Sequence, residues 1–437
     1  MDDIEANIAP TGITSTETTS TEVTSLERNN TNGQQAHNTR MPGLLIGVEI
    51  EAPLAMTKWN ELTAQNELLD TAASIDELAI LFNNKGLKAY GTQHNDQNQE
   101  YRTWCITIDP SLEPLGIQYP GAGFEIKTPI IAINNPIYKR DIQTMWGIIE
   151  PFKVPSMRYW KLCSTHIHFS LSGYFRFPID LARKLAFCVV YFERAIDDLM
   201  PGTMDPNDQM HPQGWKNGRF YAKRNRLRPR HNGLKPLNDL KSCWECIRSA
   251  EDIRELYRLL CGGAFGAIVE SDDYSSGKTH RLFDIDIETC GGRFCKWNFA
   301  GVDDVYVTIE FRQMPPCRSA EETLDWIGFL TAFLAAVEKV DTAKLDQAVL
   351  PPSGITFAKA LGLDLNLPPQ VERNYETKWA ADSPPYQLPV LHLKDFVGHD
   401  FDFWLRLLAV KDKMESELEA ILQEEQDKPS KSAISAQ

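Results

Sequence analysis

Four short stretches of the sequence each place two ionisable residues around one apolar residue. They are Glu49-Ile50-Glu51, Glu125-Ile126-Lys127, His166-Ile167-His168 and Glu310-Phe311-Arg312. Side chains alternate between faces in a β-strand, so each ionisable pair shares one face and the apolar residue points to the other. If the four strands belong to one sheet, one face is a packed core. The opposite face then carries three to four carboxylates, one or two imidazoles, an arginine and a lysine.

Such a face has a definite chemistry. Crowded carboxylates raise one another's pKa unless cations neutralise them. Hard divalent ions with oxygen ligands, Mg²⁺ or Mn²⁺, would do so, and a histidine in the set favours tolerance of Mn²⁺. Arg312 and Lys127 are suited to phosphate oxygens instead. The pattern therefore predicts a site for a nucleoside triphosphate, where metal ions neutralise charge during phosphoryl transfer.

Each stretch alone also has an ordinary structural interpretation. Glu-x-Glu on a strand is usually a solvated face, and Glu-x-Arg is more often a structural ion pair. His-x-His is the strongest of the four, because two histidines two residues apart on a strand is a common metal-ligand spacing. Their joint occurrence, each within an apolar run, is what favours a functional site.

Strand-like and helix-like segments alternate around these stretches. Structure is expected to begin at Pro42, with further strands over 102–112, 123–131, 161–171 and 303–314. Helices are predicted over Ile75–Leu81, about 140–150, 177–200, Ile253–Leu260, from 319 onward and 401–426. Two of them begin with the Ser-x-x-Glu spacing of a capping box, at Ser74 and Ser319. The mixed order indicates an α+β or α/β fold with one central sheet.

Composition limits the function classes. A formal net charge of −15 over 437 residues disfavours binding to nucleic acid or to an anionic membrane. No apolar run approaches the ~18 residues of a membrane span, the N-terminus lacks a signal sequence, and nine scattered cysteines fit a reduced compartment. We therefore expect an intracellular, cytoplasmic protein. The basic segment 215–236, which contains Arg219 and Arg224, is either a solvated loop or a phosphate-binding arm.

Five motifs, taken in order, resemble those of the amidoligase family. They are Gly47-Val48-Glu49-Ile50-Glu51, Trp104 with Asp109-Pro110-Ser111-Leu112, Phe124-Glu125-Ile126 with Thr128-Pro129, Ser164-Thr165-His166-Ile167-His168, and Thr308-Ile309-Glu310-Phe311-Arg312. The family comprises carboxylate–amine ligases related to glutamine synthetase and glutamate–cysteine ligase. The resemblance covers roughly residues 43–340.

The resemblance implies an α+β fold in which a curved, mainly antiparallel sheet forms an active-site funnel flanked by helices. ATP and two or three Mg²⁺ ions would bind in that funnel. A carboxylate, from an amino acid, a peptide or another small molecule, would attack the γ-phosphate, and an amine would then displace phosphate to give an amide. The expected organisation is a disordered tail over 1–40, an amidoligase-like catalytic domain over 41–345, and a region over 346–437 with a Pro-rich linker, an amphipathic helix and a polar tail.

The resemblance also implies a role for each ionisable residue. The metal nearest the nucleotide phosphates would be held by Glu49, Glu310 and either His166 or His168. Glu51 and Glu125 would hold the metal nearer the substrates. Arg312 would steady the transferring phosphoryl group, which makes Arg312, Glu310 and Glu51 the catalytic residues. The nucleotide-binding residues would be Arg312, Lys127, Arg219 and Arg224.

Some positions depart from the family pattern or have a plainer interpretation. Thr165 stands where the family often has glycine, and the family asparagine before the last strand is matched weakly by Asn298. Asp109 is better read as part of a turn. The Cys-x-x-Cys stretch at 243–246 has no second ligand pair, so buried thiols are expected there.

Three rival functions use parts of the same pattern. A cupin-type site needs a glutamate soon after His-x-His, and residues 169–173 contain none. A metal-dependent hydrolase needs two further strand-end histidines, whereas His211, His231 and His280 lie in polar segments. The third rival is a catalytically inactive binding protein with a ligase fold, and the complete set of ionisable residues disfavours it.

Overall fold

The structure is a computed structural model that describes fifteen parts of the chain. These are residues 43–60, 65–68, 71–92, 101–109, 112, 122–161, 163–173, 177–197, 199–201, 239–260, 296–299, 308–349, 355–363, 390–398 and 401–426. The expected tail over 1–40, the basic segment 215–236 with Arg219 and Arg224, and the polar tail after 426 lie outside the described residues.

The fold is α+β, with one mixed and mostly antiparallel sheet. Its strands are β1 (Leu44–Leu54), β4 (Ala89–Gly91), β5 (Trp104–Ile108), β6 (Ala122–Lys127), β7 (Ile131–Ala132), β8 (Thr165–Leu171), β9 (Trp297–Asn298) and β10 (Ile309–Phe311). The order across the sheet is β4-β5-β6-β1-β8-β10-β9, with β7 also paired to β1. Among the described strands, only β4 and β5 pair in parallel, and the sheet that these strands form does not close on itself. Strands β2 (Thr57–Asn60) and β3 (Gln65–Leu68) form a separate hairpin.

Strand β1 lies in the middle of the sheet and sets its two faces. Leu44, Ile46, Val48 and Ile50 alternate along one face, and all four are buried. The residues between them, 45, 47, 49 and 51, point to the other face. A one-residue slip in register would put the isoleucines on the charged side, so this alternation fixes the register.

Helices pack against the apolar face and around it. They are α1 (Thr71–Asn84), α2 (Ile137–Ile149), α3 (Met157–Trp160), α4 (Ile179–Asp197), α5 (Leu240–Ser249), α6 (Ile253–Leu260), α7 (Ala320–Glu338), α8 (Thr342–Val349), α9 (Phe357–Ala360), α10 (Val390–Val397) and α11 (Phe403–Gln426). None of these described helices is both long and apolar enough to cross a membrane.

Helix α7 lies directly beneath the strands that carry the site. Its Trp326 ring centroid is 6.2 Å from that of Phe311 on β10, and its Phe333 is 5.6 Å from Trp297 on β9. Such aromatic pairs add to the free energy of burial. The expectation that Trp297 and Trp326 belong to the core is confirmed, since both are buried.

Two predicted helix starts had different outcomes. Ser319 caps α7 as expected, because its side chain accepts a hydrogen bond from the backbone N–H of Glu322. The predicted cap at Ser74 is wrong, because α1 begins three residues earlier at Thr71 and Ser74 is buried inside it. Ala72 and Ala73 are good helix formers, so they extend the helix toward its N-terminus.

Several strands are shorter than predicted. The strand expected over 123–131 ends at Lys127, since Pro129 has no N–H to donate to a neighbouring strand, and pairing resumes at Ile131. The strand expected over 161–171 starts only at Thr165, because Met157–Trp160 form a helical turn.

Candidate functional site

The pairing register brings all eight ionisable residues of the four stretches onto one face of the sheet. On β1, Glu49 is opposite Lys127 of β6 on one side and His166 of β8 on the other. The next residues on the same face follow the same pattern. Glu51 is opposite Glu125, and His168 is opposite Glu310. We call this surface the charged face; it consists of Glu49, Glu51, Glu125, Lys127, His166, His168, Glu310 and Arg312.

Glu49, His168 and Glu310 converge at its centre. The Nε2 atom of His168 is 3.4 Å from Glu49 Oε1 and 3.8 Å from Glu310 Oε1. One potential ligand atom from each residue lies within 4.8 Å of the other two, and among the described residues no other His, Cys, Asp or Glu group has this geometry. His168 Nε2 is buried and has no hydrogen-bond partner in the described part of the chain.

His166 approaches the same centre from the other side. Its Nδ1 atom is 3.3 Å from Glu49 Oε2 and 3.5 Å from Glu310 Oε1. Its Nε2 atom is 2.8 Å from the hydroxyl of Ser164, which precedes β8. Both imidazoles therefore present a nitrogen to the same two carboxylates.

The other two glutamates are arranged around Lys127. Its ammonium is 3.0 Å from Glu125 Oε2 and 3.7 Å from Glu49 Oε1, so it bridges two strands. Glu51 is buried, and its Oε2 accepts a 2.9 Å hydrogen bond from the backbone N–H of Ser164. Directly opposed like charges destabilise a sheet, and Lys127 offsets part of that repulsion.

Two neighbours orient the carboxylate of Glu310. The side-chain amide of Asn298 on β9 donates a 2.8 Å hydrogen bond to Oε2, and Arg312 donates to Oε1. Partners of this kind fix the geometry of a metal-binding carboxylate. Asn298, which the sequence indicated only weakly, therefore contacts the site directly.

The ionisation of the central residues is strongly perturbed. Burial would raise the pKa of Glu49, but the charge of His168, a hydrogen bond from His166 and the charge of Lys127 hold it well below its usual range. Burial likewise opposes protonation of His168, yet the charges of Glu49 and Glu310 raise its pKa to about 9. Burial and the charge of Arg312 lower the pKa of His166.

The pKa of Glu125 is shifted in the opposite direction to that of Glu49. Burial and the charge of Glu49 raise its pKa to about 7, although Lys127 acts against this. Without a bound cation, protonated His168, Lys127 and Arg312 thus supply the charge that balances the carboxylates. A cation that enters between Glu49 and Glu310 must displace the proton of His168.

Compared with known proteins, the chain matches no protein-family model and no curated protein.

The donor set fits a divalent cation. Ligand atoms of Glu49, His168 and Glu310 converge, and His166 Nδ1 lies 3.3 Å from Glu49 and 3.5 Å from Glu310. His168 Nε2 is a buried atom without a hydrogen-bond partner among the described residues. The carboxylate oxygens suit Mg²⁺ and Mn²⁺, whereas the imidazole nitrogens suit Zn²⁺ and Fe²⁺.

A cleft of about 940 Å³, partly open to solvent, adjoins the central residues. Gly47 forms part of its floor, and a β-carbon added there would meet nothing within 4 Å. Tyr101 and Ile130 line one side, and both are exposed. A ligand in this cleft can reach the charged face at Glu49, His168 and Glu310.

Other predicted positions lie apart from the centre. Asp109 follows β5, and its carbonyl accepts a hydrogen bond from the N–H of Leu112, as in a turn. Its charge also contributes to the raised pKa of Glu125, so it lies near the edge of the charged face. Cys243 is buried in α5, and Cys246 is partly buried there.

Two site residues were missed in the sequence. Ser164 bonds to Glu51 and His166, and Thr107 is opposite Glu125 on β5. The alternation that revealed the histidines extends back to Ser164, and the same alternation runs through Cys105, Thr107 and Asp109. If the two-residue alternation is followed to the ends of these strands, it identifies both residues.

Proposed function

We propose that the protein is an ATP- and Mg²⁺-dependent ligase that joins a carboxylate to an amine. One observation carries the proposal. Four adjacent antiparallel strands, β6, β1, β8 and β10, present four glutamates, two histidines, a lysine and an arginine on one face, with a packed apolar core on the other. Carboxylates beside basic side chains are what phosphoryl transfer from a metal-bound nucleotide requires.

We further propose that the sheet is the funnel-forming sheet of the glutamine synthetase-like fold. The α+β class, the mostly antiparallel strand order and the helices packed on the apolar face support this. So does the order of the five motifs along the chain. The residues 41–345 would then form the catalytic domain.

The charged face would hold its cations in two places. Glu49, Glu310 and the histidines would hold the cation nearer the nucleotide phosphates, because their donor atoms already converge. Glu51 and Glu125, which are opposite each other on β1 and β6, would hold a second cation nearer the substrates. When bound, the cations would supply positive charge that offsets the charge of the transferring phosphoryl group.

The basic side chains would act on the phosphoryl group itself. Arg312 is anchored by its hydrogen bond to Glu310, so its remaining N–H groups could bind phosphoryl oxygens with little loss of conformational entropy. Lys127 lines the cleft and could contact the same phosphates. Both would orient the γ-phosphate toward the attacking carboxylate.

The reaction would proceed in two steps. A carboxylate oxygen attacks the γ-phosphorus of ATP and ADP leaves, which gives an acyl phosphate. The amine nitrogen then attacks the acyl carbon, phosphate leaves, and the amine proton passes to a base. The acid would be an amino acid, a peptide or another small molecule.

One observation favours a second candidate, a metal-dependent hydrolase. Two imidazole nitrogens and two carboxylates around one point form a donor set that also suits a transition metal. A hydrolase would retain Zn²⁺ or Fe²⁺ through purification and would not need ATP. Lys127 and Arg312 on the same face disfavour this candidate.

The deciding experiment is an isotope-transfer assay with Mg²⁺ and ATP. Pools of carboxylates labelled with ¹⁸O and pools of amines are added, and the phosphate released is analysed by mass spectrometry. The ligase transfers one ¹⁸O from the carboxylate to phosphate and forms an amide. A well-folded protein that binds no ATP and releases no labelled phosphate with any pool would contradict the proposal.

A further inference from the structure

A chain of hydrogen bonds connects the two glutamates of β1 along the charged face. The backbone N–H of Ser164 donates to Glu51, the hydroxyl of Ser164 is 2.8 Å from His166 Nε2, and His166 Nδ1 is 3.3 Å from Glu49 Oε2. Ser164 and His166 are only 1% and 2% exposed. Water therefore cannot substitute for the serine hydroxyl, and each hydrogen bond depends on its protein partner.

Without a cation, and with a neutral imidazole, this chain has only one consistent arrangement. An ionised carboxylate can only accept hydrogen bonds, so the Nδ1 atom that faces Glu49 must carry the imidazole proton. His166 Nε2 is then an acceptor. The hydroxyl of Ser164 must donate to it.

His166 Nδ1 faces Glu49 at 3.3 Å and Glu310 at 3.5 Å. A cation between these carboxylates that is also bound by Nδ1 reverses the arrangement. A metal ion binds the lone pair of a neutral imidazole nitrogen, so Nδ1 has to lose its proton. The proton of a neutral ring is then on Nε2, and Ser164 must accept from it. A hydroxyl can do both, whereas a carbonyl cannot donate and an N–H cannot accept.

We propose that Ser164 is a positioning residue whose hydroxyl changes from donor to acceptor when a cation binds, so that His166 exchanges its Nδ1–H tautomer for the Nε2–H tautomer. Nδ1 releases one proton and Nε2 takes one up, so the exchange is neutral in protons and charge. The inference concerns the cation site of the proposed ligase and depends on that site.

The order Ser164, His166, Glu49 also resembles a nucleophilic triad. A nucleophile must reach its substrate, but Ser164 is buried and does not line the cleft. The hydroxyl therefore acts on the histidine only.

The test is nitrogen NMR of protein labelled with ¹⁵N-histidine, with His166 assigned by its loss in His166→Asn. In metal-free protein we expect the His166 resonances of the Nδ1–H tautomer. At the Mg²⁺ concentration that displaces Mn²⁺ from the site, as followed by electron paramagnetic resonance, we expect the Nε2–H tautomer. The Nε2–H tautomer in both states, or the Nδ1–H tautomer in both, would overturn the proposal.

Variants of Ser164 distinguish the proposed tautomer exchange from a purely structural role of the serine. Ser164→Ala should bind Mn²⁺ about 10- to 100-fold more weakly, the usual effect of losing a partner of a metal ligand. Ser164→Thr keeps the hydroxyl and should restore most of the affinity, whereas Ser172→Ala, at the exposed end of β8, should match the parent. Parental Mn²⁺ affinity in a folded Ser164→Ala protein would overturn the proposal.

The same measurements distinguish failure of the switch from failure of the ligase. If Mn²⁺ binds but the tautomer does not change, only the switch is wrong. If the tautomer changes with Mg²⁺ but no labelled phosphate forms with any substrate pool, only the ligase proposal is wrong. If the parent binds no Mn²⁺, the switch is wrong, and the labelling assay alone decides the ligase proposal.

Discussion

Two groups of charged residues in this molecule differ in how their charges are paired. On the charged face, Glu49 and Glu310 each face both histidines, and His168 Nε2 has no hydrogen-bond partner among the described residues. Between α7 and α11, Arg406 instead makes hydrogen bonds of 2.7–3.0 Å with both oxygens of Asp325 and lies 3.5 Å from Glu321. We call the second group the helix clamp.

The difference indicates which group is structural. Bidentate pairing satisfies both partners and stabilises a helix contact without a ligand. Converging like charges do not satisfy one another, so a protein that keeps them has another use for them. Variants that change one group at a time should therefore show different defects, in activity or cation binding for the charged face and in stability for the helix clamp.

The largest effect should come from Glu49→Gln. The variant keeps the shape of the side chain but loses a carboxylate that faces both histidines and Lys127. We expect ligase activity to fall roughly 10²- to 10³-fold, measured as kcat/KM for the substrate pair found in the labelling assay. Glu77→Gln, on the exposed side of α1, is the matched control. Full activity in Glu49→Gln would remove this residue from the site.

Cation binding should stabilise the parent protein and not the Glu49→Gln variant. At 100 times the dissociation constant, Mn²⁺ should add about 2.7 kcal/mol to the free energy of unfolding. Chemical denaturation with and without Mn²⁺ measures this. Arg406→Ala should gain the same increment as the parent, since the helix clamp does not contact the charged face. An equal increment in Glu49→Gln would mean that Mn²⁺ binds elsewhere.

Breaking the helix clamp should affect stability alone. Arg406→Ala leaves the carboxylate of Asp325, which is 6% exposed, without its bidentate partner. Because Arg406 is itself partly exposed, we expect a loss of about 2 kcal/mol, below the usual cost of breaking a buried pair. Arg140→Ala is the control, because its pair with Asp141 is exposed and should contribute under about 0.5 kcal/mol. A change in Mn²⁺ affinity in Arg406→Ala would contradict the separation.

Removal of Asn298 should have a smaller effect on the site. Its amide orients Glu310 Oε2 but donates nothing to the cation. Asn298→Ala should therefore weaken Mn²⁺ binding about tenfold, at the low end for a supporting partner. Asn298→Asp adds a negative charge next to Glu310. It therefore distinguishes the orienting effect of residue 298 on Glu310 from the effect of added charge at the site. If Asn298→Ala binds Mn²⁺ as the parent does, Arg312 alone is sufficient to orient Glu310.

The charged face was predictable from the sequence because it depends on period two alone. Glu49, His166 and Glu310 are far apart in the chain, yet alternation within apolar strands assigns each residue to a face. Pairing of the strands then brings the three side chains together. The α+β class followed from the same alternation. The order of the strands within the sheet could not be predicted from this alternation.

Other features depend on tertiary contacts that no local pattern encodes. Ser74 lies inside α1 and is buried there, so it is a core position and not the cap that its local sequence predicts. The helix clamp joins Asp325 to a residue 81 positions away. The sequence also suggested that the carboxylates need bound cations to be neutralised. The raised pKa of His168 adds a further source of positive charge, because its proton supplies charge when no cation is bound.

The effect of Glu125 is on the pH dependence of stability. Its pKa is raised to about 7 from a usual value of 4.5, so the folded protein binds more protons than the unfolded chain between these values. Stability should therefore fall as pH rises from 4.5 to 7. Glu125→Gln cannot ionise, so between pH 5 and pH 7.5 its free energy of unfolding should gain about 2 kcal/mol on the parent, at about 1.4 kcal/mol per pKa unit. The effect of Lys127 is already contained in the raised pKa of Glu125. Denaturant unfolding at pH 5 and pH 7.5 measures the difference.

Saturating Mn²⁺ should abolish this pH-dependent difference, because a cation near Glu125 favours its ionised form. A difference that persists in Mn²⁺ would place the second cation away from Glu125.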